Sequence, residues 1–212
     1  MTPVKICGLS TRESVHAALD GGAAFVGFMF FDRSPRNIAP EAAERLAEAA
    51  RGRAKVVAVT VDPSDALLER LAASLRPDFI QLHGRESPNR VREIVQRSGA
   101  AVIKTLPVST ADDFAHAADY EEVAEHLMFD TKPPEDAAAP GGRGEAFDWD
   151  LLARRRFARP WFLAGGLDPW NVADALARSR APMVDVSSGV ERGPGLKDPA
   201  LIEAFLEAVR RA

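Results

Sequence analysis

A cysteine and an aspartate each close a short apolar stretch of this sequence. Cys7 ends Val4–Cys7, and Asp130 ends Leu127–Asp130. A thiol and a carboxyl are side chains that remove or deliver protons in general acid–base catalysis. Each also has a structural interpretation, because a lone cysteine often packs as a small apolar residue and an aspartate often hydrogen-bonds the following turn. If the fold brings the two residues together, the pair would suit proton transfer.

Polar residues also interrupt other apolar stretches of the chain. Side chains alternate between the two faces of a strand, so these polar residues lie on the face opposite their apolar neighbours. Burying several such groups without partners would cost about 1–3 kcal/mol each. The pattern therefore predicts one shared, partly hydrated site inside a barrel, towards which these side chains point: Lys5, Cys7, Gln81, His83, Lys104, Asp130 and Asp185.

Two glycine-rich turns follow the last two apolar stretches, Gly165-Gly166 and Ser187-Ser188-Gly189. Backbone N–H groups in such turns can bind a phosphate, although glycines also serve tight turns that need a positive φ. We predict a phosphate site formed by Gly165, Gly166, Ser187, Ser188 and Gly189.

Other kinds of site are less well supported by the sequence. Its four histidines lack metal-ligand spacing, and its one cysteine cannot build a thiolate metal site, so we expect no metal. Cys7 with His83 would suit a thiol hydrolase, but no orienting third group can be identified. The chain also lacks the P-loop pattern of nucleotide-binding proteins.

Eight apolar stretches with helical segments between them indicate the architecture. This alternation predicts parallel strand pairing, and eight units in 212 residues predict a single-domain (β/α)8 TIM barrel over residues 1–212. Such barrels carry their active sites at the carboxyl ends of the strands. An open doubly wound sheet would show G-x-G-x-x-G after its first strand, where this chain has Cys7-Gly8-Leu9-Ser10. The predicted strands are Val4–Cys7, Ala24–Phe30, Val56–Val61, Phe79–Leu82, Ala101–Lys104, Leu127–Asp130, Trp161–Ala164 and Met183–Val186.

Several helix starts carry capping signals. A capping side chain precedes a proline at Asp62-Pro63, Ser87-Pro88, Asp168-Pro169 and Asp198-Pro199, which predicts a helix N-terminus at each place. The segment Ser10-Thr11-Arg12-Glu13 predicts a capping box.

Composition restricts the partners. The 27 Lys and Arg against 31 Asp and Glu give a net charge of −4, without the basic excess of nucleic-acid-binding proteins. One cysteine excludes an intrachain disulfide and the N-terminus does not resemble a signal peptide, so we expect a cytoplasmic protein. No apolar run reaches membrane-spanning length. We expect a monomer or homodimer that binds a small phosphorylated molecule, with neither nucleic acid nor membrane as partner.

Seven motifs occur in a fixed order from the first predicted strand to the eighth. They are Lys5-Ile6-Cys7-Gly8, Gly27-Phe28 with Ser34-Pro35-Arg36, Gln81-Leu82-His83-Gly84, Phe129-Asp130-Thr131, Pro140-Gly141-Gly142-Arg143-Gly144 with Phe147-Asp148-Trp149, Ala164-Gly165-Gly166-Leu167, and Asp185-Val186-Ser187-Ser188-Gly189-Val190-Glu191. Any one of them would be weakly informative. The ordered set covers essentially the whole chain, and it resembles the phosphoribosylanthranilate isomerase family of tryptophan biosynthesis.

The resemblance implies an Amadori rearrangement of N-(5'-phosphoribosyl)anthranilate to 1-(2-carboxyphenylamino)-1-deoxyribulose 5-phosphate, with neither metal nor organic cofactor. It implies that Asp130 is the general acid that opens the ribose ring and that Cys7 is the base that removes the C2' proton. Arg36 would pair with the anthranilate carboxylate, and Asp185 would hold a ribose hydroxyl. His83 would complete the substrate site, and the glycine-rich turns would bind the phosphate.

These implied roles carry physical requirements. Cys7 is a good base only if its thiolate is favoured, and Lys5 or the helix start after Ser10 are the candidates for favouring it. The connection Lys132–Phe147, rich in proline and glycine, is predicted to be a lid that excludes water from the reaction.

Two alternatives remain open from the sequence. The first is a related barrel that acts on another aminoaldose phosphate, such as the histidine-pathway isomerase, but those enzymes rely on an aspartate where this chain has Cys7. The second is a catalytically silent barrel that binds a phosphorylated ligand.

Overall fold

The chain folds into a closed barrel of eight parallel strands, which confirms the predicted (β/α)8 architecture. The computed structural model describes residues 1–132 and 146–212. The strands are β1 (Val4–Cys7), β2 (Phe25–Phe30), β3 (Lys55–Thr60), β4 (Phe79–Leu82), β5 (Ala101–Val108), β6 (His126–Thr131), β7 (Trp161–Leu163) and β8 (Met183–Val186). They pair in chain order, and β1 closes the ring against β8.

The strand positions agree with the sequence prediction to within one residue at each end, except at the end of β5. That strand continues through Pro107, which pairs with Asp130, to Val108. Because a proline within an apolar run argues against a central strand, the sequence alone understates the length of β5.

The helices on the outside of the barrel are α1 (Arg12–Asp20), α2 (Pro40–Ala47), α3 (Asp65–Ala73), α4 (Pro88–Ser98), α5 (Ala117–Glu121), α6 (Val172–Ser179) and α7 (Pro199–Arg211). A short antiparallel hairpin, β9 (Glu191–Gly193) and β10 (Leu196–Lys197), lies between β8 and α7. No helix in the described part of the chain is long and apolar enough to cross a membrane.

Two of the predicted helix starts are confirmed. Ser87 and Asp198 each cap a helix whose first residue is proline. The starts predicted at Asp62 and Asp168 were wrong, because α3 begins after Ser64 and α6 begins after Asn171. Asp168 instead accepts hydrogen bonds from the N–H groups of the turn before α6.

The start of α1 also differs from the prediction. Thr11, rather than Ser10, is the capping residue, and its side chain accepts a hydrogen bond from the N–H of Ser14. This places Glu13 one position too early in the helix for the predicted capping box.

The connection between β6 and β7 is described only at its ends. A 3-10 helix at Trp149–Leu151 precedes β7. The predicted lid, Lys132–Phe147, falls mainly on residues 133–145, which lie outside the described residues.

Two apolar layers enclose the barrel wall. Inside the barrel, the rings of Phe25, Phe79 and Phe162 pack edge to face, and His126 stacks on Phe79 with 5.2 Å between ring centroids. Burial lowers the pKa of His126 below its usual value. Outside, the opposite strand faces pack against the helices in a much larger apolar cluster that includes Phe129. The strands β1, β6 and β8, which carry predicted polar site residues, therefore contact apolar side chains on both the inner and the outer face of the barrel wall.

Lys104 was predicted to point into the barrel, but in the structure it points outward. Its neighbour Ile103 lies in the interior cluster, and Val102, on the same strand face as Lys104, packs in the outer cluster. Strand alternation shows which residues share a face, but not which face is inside. Lys104 is buried beneath the helices, where its Nζ lies 2.7 Å from Glu86 Oε2 and donates to the carbonyl of Gly84 at 2.8 Å.

Glu86 ties this buried ion pair to the loop after β4. Its Oε1 accepts from the N–H of Asp62 at 2.9 Å and from the N–H of Gly84 at 3.1 Å. Tyr120 donates its hydroxyl proton to the Glu86 carbonyl at 3.0 Å. Gly84 directly follows His83, so the Lys104–Glu86 pair supports the loop that carries a predicted site residue.

We expect Glu86→Gln to lower the free energy of unfolding by about 3 kcal/mol, because it leaves the buried Lys104 ammonium without its carboxylate. Urea unfolding measures the loss. The matched control is Glu41→Gln, which breaks an exposed 2.9 Å ion pair with Arg70 and should change stability by less than about 1 kcal/mol. Equal losses in the two variants would contradict a special contribution from the buried pair.

Candidate active site

Most of the predicted site residues meet at the carboxyl ends of the strands. One pocket there is lined by parts of β6, β8 and the loops after β7 and β8: Asp130, Ala164, Gly165, Gly166, Leu167, Asp185, Val186, Ser187 and Ser188. The proposed acid and the two glycine-rich turns thus share one cavity. Gly189, the predicted phosphate-site residue that is not among the lining residues, packs so closely that an added Cβ would lie 1.9 Å from the carbonyl oxygen of Leu167, which does line the pocket.

Asp130 and His83 are in direct contact. His83 Nε2 lies 3.2 Å from Asp130 Oδ2, while Asp130 Oδ1 accepts a hydrogen bond from the N–H of Thr131 at 2.8 Å. Strand alternation turns Asp130 inward, above the interior Met128, and turns Phe129 outward to the helices. The carboxyl group is therefore held on both oxygens, with 10% of the side chain exposed at the pocket.

Lys5 and Asp185 form a buried ion pair across the seam of the barrel. They are register partners on β1 and β8, so both side chains point inward, and Nζ lies 2.7 Å from Oδ1. Burial alone would lower the pKa of Lys5, but Asp185 and Cys7 raise it above its usual value. Gly27 on β2 leaves room for this ammonium group, because an added Cβ would lie 3.1 Å from Nζ.

Cys7 ends β1 with its side chain in the barrel interior. Burial raises the pKa of the thiol, Asp185 raises it further, and Lys5 and Lys197 oppose the shift without cancelling it. Lys5 therefore lowers the pKa of the thiol, in the predicted direction, but its effect is smaller than that of burial. At neutral pH the thiol stays mostly protonated.

Gly165 allows the turn after β7 to approach the carboxyl group of Asp130. Its φ of +87° is strained for any residue with a side chain, and an added Cβ would lie 2.8 Å from Asp130 Oδ1 and 2.3 Å from Thr131 Oγ1. The tight-turn interpretation of this glycine is therefore correct, and it is compatible with phosphate binding by the same turn.

Arg36 lies over the end of β1, in the loop after β2. Gly8 packs beneath it, so that a Cβ on this glycine would lie 2.6 Å from Arg36 Cδ. The guanidinium group makes a two-pronged contact with Glu191, from Nε to Oε1 at 2.7 Å and from Nη2 to Oε2 at 2.8 Å. Lys197 Nζ lies 2.5 Å from the same Oε1. No role for Glu191 or Lys197 could be predicted from the sequence, because the short β9–β10 hairpin that carries them lacks a strand-like alternation.

The assembled side chains define what the site can do. A carboxyl group contacts a histidine, a thiol lies near two lysines, and glycine- and serine-rich turns line the pocket. In residues 1–132 and 146–212, no three His, Cys, Asp or Glu side chains are grouped so that they could hold a metal ion. The arrangement suits proton transfer on a small phosphorylated molecule.

Known proteins share both this sequence and this fold. The family described as N-(5'phosphoribosyl)anthranilate (PRA) isomerase matches residues 4–208. The N-(5'-phosphoribosyl)anthranilate isomerase of Caulobacter vibrioides is 65% identical over 209 residues, which cover 98% of this chain and 95% of the relative. The enzyme of that name from Caulobacter sp. strain K31 is 63% identical over 212 residues, the whole of both chains.

Solved structures agree with the sequence matches. Phosphoribosyl anthranilate isomerase from Thermotoga maritima superposes with a TM-score of 0.89 at 36% identity, over the whole of both chains. A phosphoribosyl anthranilate isomerase in complex with reduced 1-(o-carboxyphenylamino)-1-deoxyribulose 5-phosphate superposes with a TM-score of 0.86 at 34% identity, again over the whole of both chains. The chain therefore belongs to the N-(5'-phosphoribosyl)anthranilate isomerase family.

Proposed function

We propose that this isomerase of tryptophan biosynthesis converts N-(5'-phosphoribosyl)anthranilate to 1-(2-carboxyphenylamino)-1-deoxyribulose 5-phosphate with Asp130 as general acid and Cys7 as general base. The observation that carries the proposal is the position of these two groups, at the carboxyl ends of β6 and β1 of one barrel. Both are proton-transfer groups, and the reaction is an internal redox change driven by proton transfer alone.

The acid acts first in this mechanism. Protonated Asp130 donates to the ribose ring oxygen, the bond from C1' to that oxygen breaks, and the nitrogen lone pair forms an iminium ion. The contacts of Asp130 with His83 and the Thr131 N–H support this role, because they hold the carboxyl group in one orientation.

The base acts second. Cys7, as the thiolate, removes the C2' proton from the iminium ion, and the electrons of that bond neutralise the nitrogen to give an enolamine. The enolamine then tautomerises to the ketone. A thiol with a raised pKa is a strong base once deprotonated, and Lys5 supplies the adjacent positive charge.

The other predicted site residues bind the substrate in this proposal. Arg36 gives two N–H groups to Glu191, and the guanidinium has five, so it has further donors that could bind the anthranilate carboxylate. Asp185 would accept a hydrogen bond from a ribose hydroxyl. His83 would line the ribose region, and the phosphate would bind the N–H groups of the turns at Gly165, Gly166, Ser187, Ser188 and Gly189.

A direct assay tests the activity. The purified chain is incubated with N-(5'-phosphoribosyl)anthranilate, the loss of substrate fluorescence is followed, and the product, which has the same mass, is identified as a ketone by NMR. Enzyme-dependent formation of the ketose supports the proposal. Tight binding of a reduced product analogue without turnover would favour the catalytically silent barrel, and preference for another aminoaldose phosphate would favour the related isomerase.

We further propose that residues 1–212 form one catalytic domain that works in the cytoplasm as a monomer or homodimer, without a metal or organic cofactor. The continuous barrel supports one domain, and a buried free Cys7 suits a reducing compartment. Size-exclusion chromatography with light scattering would determine the oligomeric state.

A further inference from the structure

Lys197 is a buried charged residue that the mechanism above does not use. It lies in β10, and 1% of its side chain is exposed. Its Nζ donates to the Ser187 carbonyl at 2.8 Å and to Ser187 Oγ at 3.2 Å, and it lies 2.5 Å from Glu191 Oε1. These contacts use the three donors of a lysine ammonium group. A buried lysine is costly unless its charge is paired, so its position calls for a reason.

The contacts of Lys197 lead to Cys7. The hydroxyl of Ser187, which accepts from Lys197, donates to the Cys7 carbonyl at 3.2 Å. The positive charge of Lys197 also acts on the thiol, since it opposes the pKa increase that burial causes. The other charged groups that act on the thiol are Lys5 on β1, which also opposes the increase, and Asp185 on β8, which adds to it.

Glu191 keeps Lys197 in place. Burial alone would raise the pKa of Glu191, but hydrogen bonds and charge from Arg36 and Lys197 bring it below its usual value, so the carboxylate stays ionised. One oxygen, Oε1, contacts both cations, and Oε2 accepts from Arg36 and from the N–H of Gly195 at 3.1 Å. Glu191 therefore joins the residue proposed to bind the anthranilate carboxylate to a cation beside the proposed base.

We propose that Lys197 is a positioning residue of this isomerase, which holds a positive charge beside the Cys7 sulfur and anchors Ser187, and that Glu191 fixes it there. The β9–β10 hairpin is then part of the active site. This inference rests on the proposed role of Cys7 as the base. Its test therefore measures the ionisation of the thiol directly, without turnover.

The single cysteine makes this measurement specific. The rate of alkylation by iodoacetamide, followed from neutral to alkaline pH, reports the thiolate of Cys7 alone. The ultraviolet absorbance of the thiolate provides a second readout. In Lys197→Met we expect the midpoint to rise by about one pH unit, which lowers the alkylation rate about tenfold at a pH well below the wild-type midpoint. Lys197→Arg keeps the positive charge, so its midpoint should remain close to that of the wild type. The control Lys55→Met removes an exposed lysine that pairs with Asp78 and should leave it unchanged.

The outcomes separate three interpretations. An unchanged midpoint in folded Lys197→Met, with only a higher KM, would overturn the inference and leave Lys197 as a structural support of the Ser187 turn. Lys197→Gln keeps a hydrogen-bond donor without the charge, and the same upward shift is expected, so this variant serves if methionine prevents folding. If Cys7→Ala retains activity while the midpoint still shifts, the proposed role of Cys7 fails and the effect of Lys197 on the thiol stands.

Discussion

Asp130→Asn is expected to lower kcat by roughly a thousandfold, because an amide cannot deliver the proton that opens the ribose ring. Asparagine keeps the shape of the side chain and an oxygen that can accept the hydrogen bond from the Thr131 N–H. KM should therefore change by only a few-fold. A thousandfold loss corresponds to about 4 kcal/mol of transition-state stabilisation, which is within the range of a single general acid.

The measurement for Asp130→Asn combines steady-state kinetics with urea unfolding. The control is Asp174→Asn, which neutralises an exposed carboxylate on α6, 3.8 Å from Arg178, and should leave both kcat and stability near wild-type values. An Asp130→Asn enzyme that unfolds at the wild-type urea concentration and loses kcat supports the acid role. A kcat within tenfold of wild type would assign the proton transfer to another group, with His83 the next candidate because it contacts Asp130.

Much of the barrel could be predicted because its periodicity is local. Strands, and which of their residues share a face, follow from alternation, and helix ends such as Ser87-Pro88 follow from capping chemistry. Asp62 and Asp168 show the limit of such signals. The same Asx side chain serves a turn as well as a cap, and in this chain Asp168 accepts from the N–H groups of the turn before α6.

The candidate site could be predicted where its residues lie on barrel strands or in the glycine-rich turns after them. The pairing of Lys5 with Asp185 could not, because it depends on β1 meeting β8 in register, at a separation of nearly the whole chain. The prediction placed Lys104 on the wrong face of the barrel wall for a related reason, since only the closed barrel determines which face is interior. The Arg36–Glu191–Lys197 cluster was missed because its members come from a loop and a short hairpin, where no periodicity applies.

The direction of the pKa shift of Cys7 could not be predicted from the sequence either. Lys5 two positions earlier suggested a favoured thiolate, but the balance between burial and charge depends on how deeply the thiol lies and on Asp185 and Lys197, which arrive from distant segments. Because the pKa is raised, only a small fraction of the thiol is ionised, but each thiolate is a stronger base than a thiolate with a low pKa would be.

Replacing Cys7 tests the second half of the mechanism. Cys7→Ala and Cys7→Ser should each lower kcat by roughly a thousandfold, because neither alanine nor a serine hydroxyl can remove the C2' proton at neutral pH. Both side chains are no larger than cysteine, so the buried position should accept them with little loss of stability. Cys7→Asp supplies a carboxylate near Lys5 and should recover part of the lost activity.

Deuterium at C2' of the substrate makes the assignment of Cys7 specific, because only the base step breaks that bond. In Cys7→Asp, where a different base works in place of the thiolate, proton removal should limit the rate and a primary isotope effect on kcat should appear or increase. In Asp130→Asn, ring opening should limit the rate and the isotope effect should be small. The reverse pattern would exchange the roles of the two residues, and equal isotope effects in both variants would argue that neither step is assigned correctly.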